Sequence, residues 1–149
     1  MDVFYERKEQ YRVVYRSSFL FLISSSYALL YFQYHFALLN MCIFLTSINY
    51  WRKPMYSWRR TLDMTVVNSA IIYKNIVVYN SLAYNPTNVN LYYFIFFSGS
   101  LAYPLSIYCY NYKFYWTAVY LHMLLHVMAN IASIILYTGY EEKYLNICV

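Results

Sequence analysis

A chain of 149 residues is the size of one domain. It has 62% hydrophobic and 23% aromatic residues but only 11% charged ones. A soluble domain has about 25% charged residues, so too little charge is present here to cover a water-soluble globule.

The eleven Lys and Arg outnumber the six Asp and Glu, for a net charge of +5. They gather beside apolar runs, in a first group of Arg7, Lys8, Arg12 and Arg16 and a second of Arg52, Lys53, Arg59 and Arg60. That is the arrangement of membrane-flanking loops and argues against nucleic acid as a partner. Cys42, Cys109 and Cys148 are widely spaced and odd in number, which reads as free or buried thiols rather than a disulfide framework. No cleavable signal peptide is expected, since a charged opening segment is followed by no short apolar core with a small-residue cleavage site.

The predicted elements are membrane spans. Between Ser17 and Trp51 no side chain is charged, apart from a neutral His35. As one helix this run would be roughly 52 Å long, against a hydrocarbon core of about 30 Å, so two spans fit better. They are expected at 17–31 and 36–51, turning near Gln33, Tyr34 and His35. A third at 61–79 carries Asp63 near its start and Lys74 near its end. After a polar loop at 80–90, a fourth at 91–110 is interrupted by Gly99 and Pro104, and Pro104 should bend it. A fifth at 115–137 is ended by Gly139 and the charged tail Glu141, Glu142, Lys143. The expected fold is all-α: a multi-pass transmembrane helical bundle of about five spans, one integral membrane domain. Under this count the N-terminus, the 52–60 loop and Lys113 share one side. The positive-inside rule makes that side cytoplasmic and puts the C-terminus opposite.

Chemistry is expected where polar groups fall inside the spans, because an intramembrane Asp costs about 2.5–3.5 kcal/mol to insert. Lys74, close to a span end, is expected to snorkel to the interface, and His35 to sit in the interfacial layer. Asp63 is open to two readings, an ion pair with Arg59 or Arg60 or a cap on its own helix. His122 and His126 stand at i and i+4 on one helix face, a spacing that lets both rings reach one metal ion. The same pair also reads as two core histidines hydrogen-bonded to neighbouring helices, or as one side of a haem site. By helical rise, Ser47 lies roughly 8 Å, Asp63 roughly 5 Å and His122 roughly 13 Å below the same edge. The tryptophans and the tyrosine clusters at span ends read as aromatic belts, and the Ser98, Gly99, Ser100 run as a notch for helix packing.

Three segments carry a resemblance: Ser47-Ile-Asn-Tyr-Trp51, then Trp58-Arg-Arg-Thr-Leu-Asp63, then His122-Met-Leu-Leu-His126. A Ser on the second span, an Asp opening the third and HxxxH on the last resemble the CREST superfamily of alkaline ceramidases and adiponectin/progestin-type receptors. That resemblance implies zinc held by His122 and His126, with Ser47 and Asp63 orienting the metal-bound water or the oxyanion. It also implies hydrolysis of a membrane lipid amide or ester. Family members have seven spans and a third zinc-binding histidine four residues after the Ser, where this chain has Trp51. Either Asp63 completes the set, giving two histidines and a carboxylate, or the metal is lost. Two function classes follow: a zinc-dependent lipid hydrolase, and a non-catalytic membrane protein whose partners are lipid and other membrane proteins.

Overall fold

The computed structural model describes residues 8–80 and 84–140. Arg7, the 141–143 tail and Cys148 lie outside them. Helices make up the described chain in the order α1 (Lys8–Ser17), α2 (Leu20–Leu30), α3 (Tyr34–Trp51), α4 (Trp58–Asn80), α5 (Pro86–Ser100), α6 (Ala102–Asn111) and α7 (Tyr115–Thr138). Among the described residues the β-structure is a single bridge between Tyr84 and Tyr140. Because α1 continues into α2 and α5 into α6, the seven segments form five rods. Two of these, Lys8–Leu30 and Tyr115–Thr138, are long and apolar enough to cross a membrane.

The first rod starts nine residues before the expected 17–31 span. Gln10, Val14 and Ser17 are its buried positions in α1, the i, i+4, i+7 spacing of a helix face, and Arg12 and Arg16 stay exposed. Its break follows from two adjacent serines. The hydroxyls of Ser17 and Ser18 both donate to the Val14 carbonyl, at 2.9 and 3.1 Å, and such back-bonding bends helices. The next amides tighten to i−3 bonds, Phe19 to Arg16, Phe21 to Ser18 and Leu22 to Phe19, a short 3₁₀ turn. The turn into α3 falls at 31–33. Phe32 takes φ 58° and the Gln33 amide reaches back to Ala28 O at 2.8 Å, a Schellman closure made without glycine. Lys113, with φ 65°, closes the α6–α7 turn the same way through Phe114 N to Cys109 O.

Asn85 caps α5 by accepting from the Thr87 amide at 2.9 Å, with Pro86 in the first turn. The fourth rod is interrupted at Leu101, three residues before Pro104, whose missing N–H leaves the preceding turn without a ladder bond.

Packing divides the bundle into two ends and a middle. At one end Val14, Tyr50, Trp51, Ala118 and Val119 form a cluster, and Lys8, Arg12 and Arg52 rim an adjoining cleft. At the other, Phe36, Tyr92, Leu136 and Tyr137 pack together. Here Tyr84 donates to the buried Gln33 side chain at 2.9 Å, and burial pushes its phenol pKa up. The helices invert the usual polarity of a soluble protein. Asn40, Ser47, Asp63, Lys74, His122, His126, Asn130 and Ser133 are all buried, whereas Leu30 is 70% exposed and Phe94 71% exposed.

Candidate functional site: a polar-lined cavity within the bundle

α4 packs along α3, and its buried positions are Asp63, Ala70, Lys74 and Val78. Two of these four are charged. Eleven residues separate Asp63 from Lys74, three helical turns, so both lie on one face roughly 16 Å apart. That face borders a cavity of about 290 Å³ whose remaining walls come from α2, α3, α5, α6 and α7. Ser47, Asp63, His122 and His126 all line it. The middle of the wall is apolar, with Val67, Ala70, Phe96 and Leu125 among its residues.

Asp63 takes neither role expected of it. Among the described residues its carboxylate meets no guanidinium. It accepts from the hydroxyls of Ser47 at 2.8 Å and Thr46 at 3.0 Å, both through Oδ1. These bonds cross from α3 to α4, and the carboxylate is only 7% exposed. The Thr46 hydroxyl shares its one proton with Ile43 O at 3.1 Å, so Ser47 is the firmer of the two donors that orient this buried acceptor.

The histidines sit across from it on α7. Their ring centroids are 5.1 Å apart, as the i, i+4 spacing requires. His126 Nδ1 lies 2.8 Å from Ser17 Oγ, a contact between α1 and α7. Ser17 Oγ also has Val14 O within 2.9 Å; with its proton directed there the hydroxyl accepts from Nδ1–H, the tautomer that leaves Nε2 free of a proton. His122 is packed edge-on by Trp51 at 4.8 Å and flanked by Tyr103 at 6.0 Å. Its Nδ1 is buried with no hydrogen-bond partner, an orphan that calls for a ligand or a bound water. Ser17→Ala is expected to cost about 1–3 kcal/mol, because it strands Nδ1 of His126 in the interior. Thermal unfolding of the detergent-solubilised chain reads this directly.

As a zinc site the donor set is short. Among the described residues no three His, Cys, Asp or Glu side chains come together in a group able to hold a metal ion. The two-histidine, one-carboxylate set expected with Asp63 is therefore not assembled. The carboxylate is engaged by Ser47 and Thr46, and Trp51 occupies the flank of His122. A catalytic zinc takes three protein donors, and the described residues bring two imidazoles to this cavity.

One polar group went unrecognised in the sequence and another was misplaced. Ser17 is the first. Lys74 is the other: it does not snorkel but turns inward, 8% exposed, donating to Ser133 Oγ at 2.9 Å. Its eleven-residue offset from Asp63 was the signal that placed it on the cavity face. His35 is exposed, tilted against Phe36 and edge-on to Tyr73, apart from the cavity.

The site thus belongs to an all-helical protein with a largely apolar cavity that carries a few buried polar side chains on its wall. Compared with family models, curated proteins and solved structures, the chain finds no match.

Proposed function

We propose that this chain is a small multi-pass membrane protein, its five rods crossing the bilayer, which holds a lipid in its intramembrane cavity. The observation that carries this reading is the inverted polarity: charged and amide side chains inside and large apolar ones outside. That arrangement is stable in hydrocarbon and costly in water. Lys8, Arg12 and Arg52 at one end suit the cytoplasmic face by the positive-inside rule. Ser47, Asp63, His122 and His126 form the polar end of the lipid site, CREST-like in residue type, with Trp51 in the place of a third histidine. Native mass spectrometry of the full chain released from lipid nanodiscs is expected to show one retained lipid. Ala129→Trp, which fills the cavity from α7, removes it. A lipid-free parent chain contradicts the proposal.

A second reading, a zinc-dependent hydrolase of a lipid amide or ester, is supported by the two imidazoles and the Ser47–Asp63 pair sharing one cavity. Elemental analysis separates the two. The lipid-binding reading expects zinc well below one ion per chain in the parent protein, whereas the hydrolase needs one.

A further inference from the structure

The cavity has a second polar end, and it is cationic. The Lys74 ammonium contacts the Ser133 hydroxyl at 2.9 Å and the rings of Phe36 and Tyr137, whose centroids lie 5.8 and 5.5 Å away. Among the described residues no carboxylate stands at hydrogen-bond distance. Ser133 already donates to Ala129 O at 2.8 Å, so it serves Lys74 as an acceptor and no more. A hydroxyl and two ring faces compensate a buried cation only partly, and a full counter-charge is the ordinary partner in such a place. The nearest acid on the cavity wall is Asp63, roughly 16 Å along the same face and beyond pairing distance. Asn40, whose amide donates to Tyr137 Oη at 2.9 Å, adds a further polar side chain at the Lys74 end.

We propose that Lys74 is the anion subsite of the cavity and that the lipid held there is a single-chain anionic amphiphile. Its carboxylate or phosphate pairs with Lys74, and its tail lies along the apolar stretch of α4 that separates Lys74 from Asp63. This rests on the lipid-binding reading above and adds the ligand's charge, polarity of insertion and chain number. The cavity, about 290 Å³, lies at the small end of the roughly 300–1,000 Å³ of ligand pockets, which favours one chain over two. The apolar stretch of Val67, Ala70 and Phe96 between the two polar ends receives hydrocarbon, and its length on α4 sets the reach of the tail.

Trp51 supplies the readout because it lines the cavity at the far end from Lys74. With Trp58 and Trp116 replaced by Phe, it is the sole indole of the three in the chain. Three probes, each dibrominated at the tail, are titrated into the purified full chain in neutral detergent: a fatty acid, its methyl ester and a lysophosphatidate. Bromine quenches indole fluorescence at short range. At least one acidic probe is expected to quench Trp51 with an affinity roughly tenfold or more above the ester, the weight of a charge-assisted hydrogen bond. The tighter of the two acidic probes identifies the head group as carboxylate or phosphate. Lys74→Met should abolish that preference while keeping ester binding, and Lys74→Arg should restore it. Equal affinity for acid and ester in the parent, or an acid preference that survives Lys74→Met, overturns the anion subsite and leaves the lipid site standing. Absence of quenching by all three probes overturns both.

Discussion

Trp51→His is expected to convert the chain into a zinc-binding protein, holding close to one ion where the parent holds well below that. The position is set by geometry: the Trp51 ring lies 4.8 Å from His122, and His122 lies 5.1 Å from His126. An imidazole grown from residue 51 therefore joins two that already face one cavity, giving the three donors a zinc site requires, with a water as the fourth. Removing a tryptophan that is only 2% exposed has a cost. Trp→Ala in a core loses about 3–5 kcal/mol, and histidine recovers part of that volume. Zinc bound only by the folded chain adds stability that rises with its concentration above the dissociation constant, about 4 kcal/mol at a thousandfold excess, enough to offset such a loss. The variant should melt higher with zinc than with chelator, and adding His122→Ala should erase the difference. A folded Trp51→His chain that binds no zinc would show that the CREST-like reading of residue 51 is misplaced.

Gly99→Leu is the second large effect, acting on assembly rather than on chemistry. A Cβ on Gly99 would stand 2.5 Å from Met128 Cβ and 3.3 Å from its Cγ. The contact joins α5 to α7, neighbours along much of their length. Ser98 and Ser100 on either side spend their hydroxyls on their own helix, at Phe94 O and Phe96 O, so the close approach depends on the glycine. In a bilayer, helices associate through such packing, because lipid tails are as apolar as leucine. Alanine at 99 gains about 1 kcal/mol of helix propensity but meets overpacking of about 1–3 kcal/mol, a small net loss. Leucine adds three more carbons to the same clash and should lose about 3 kcal/mol or more. Helicity followed through thermal unfolding in detergent measures both. Met128→Gly, which removes the Cβ that the new side chain meets, should recover part of the Gly99→Leu loss, whereas Met128→Ala keeps that atom and should recover little.

The apolar stretches were legible in the sequence because composition alone separates apolar helices from loops, and Pro104 announced the break at Leu101 through a missing donor. That Ser47, Asp63 and the two histidines share one cavity was hinted at in the sequence by their loosely similar distances from the flanking charges. The partners were not. Asp63 has Arg59 and Arg60 nearby along the chain, yet its hydroxyl donors come from α3, and sequence proximity favours the wrong neighbours. Ser17 reaches His126 across 109 positions of sequence, a contact that depends on the 3₁₀ break after Ser18 and on how α1 meets α7. Lys74 was misread through its distance to the span end, a one-dimensional measure. The angle of 1,100° for eleven residues, close to three full turns, is the two-dimensional one, and it sets Lys74 in line with Asp63.

All of this depends on hydrocarbon bathing the outer surface of the helices. Spin labels placed one at a time at Leu38, Ile72 and Phe94, all more than half exposed, test it most directly in reconstituted vesicles. Oxygen, which concentrates in lipid, should relax all three labels, and a water-soluble nickel chelate should reach none of them. Nickel access at all three positions would mean that water, not a bilayer, surrounds the bundle.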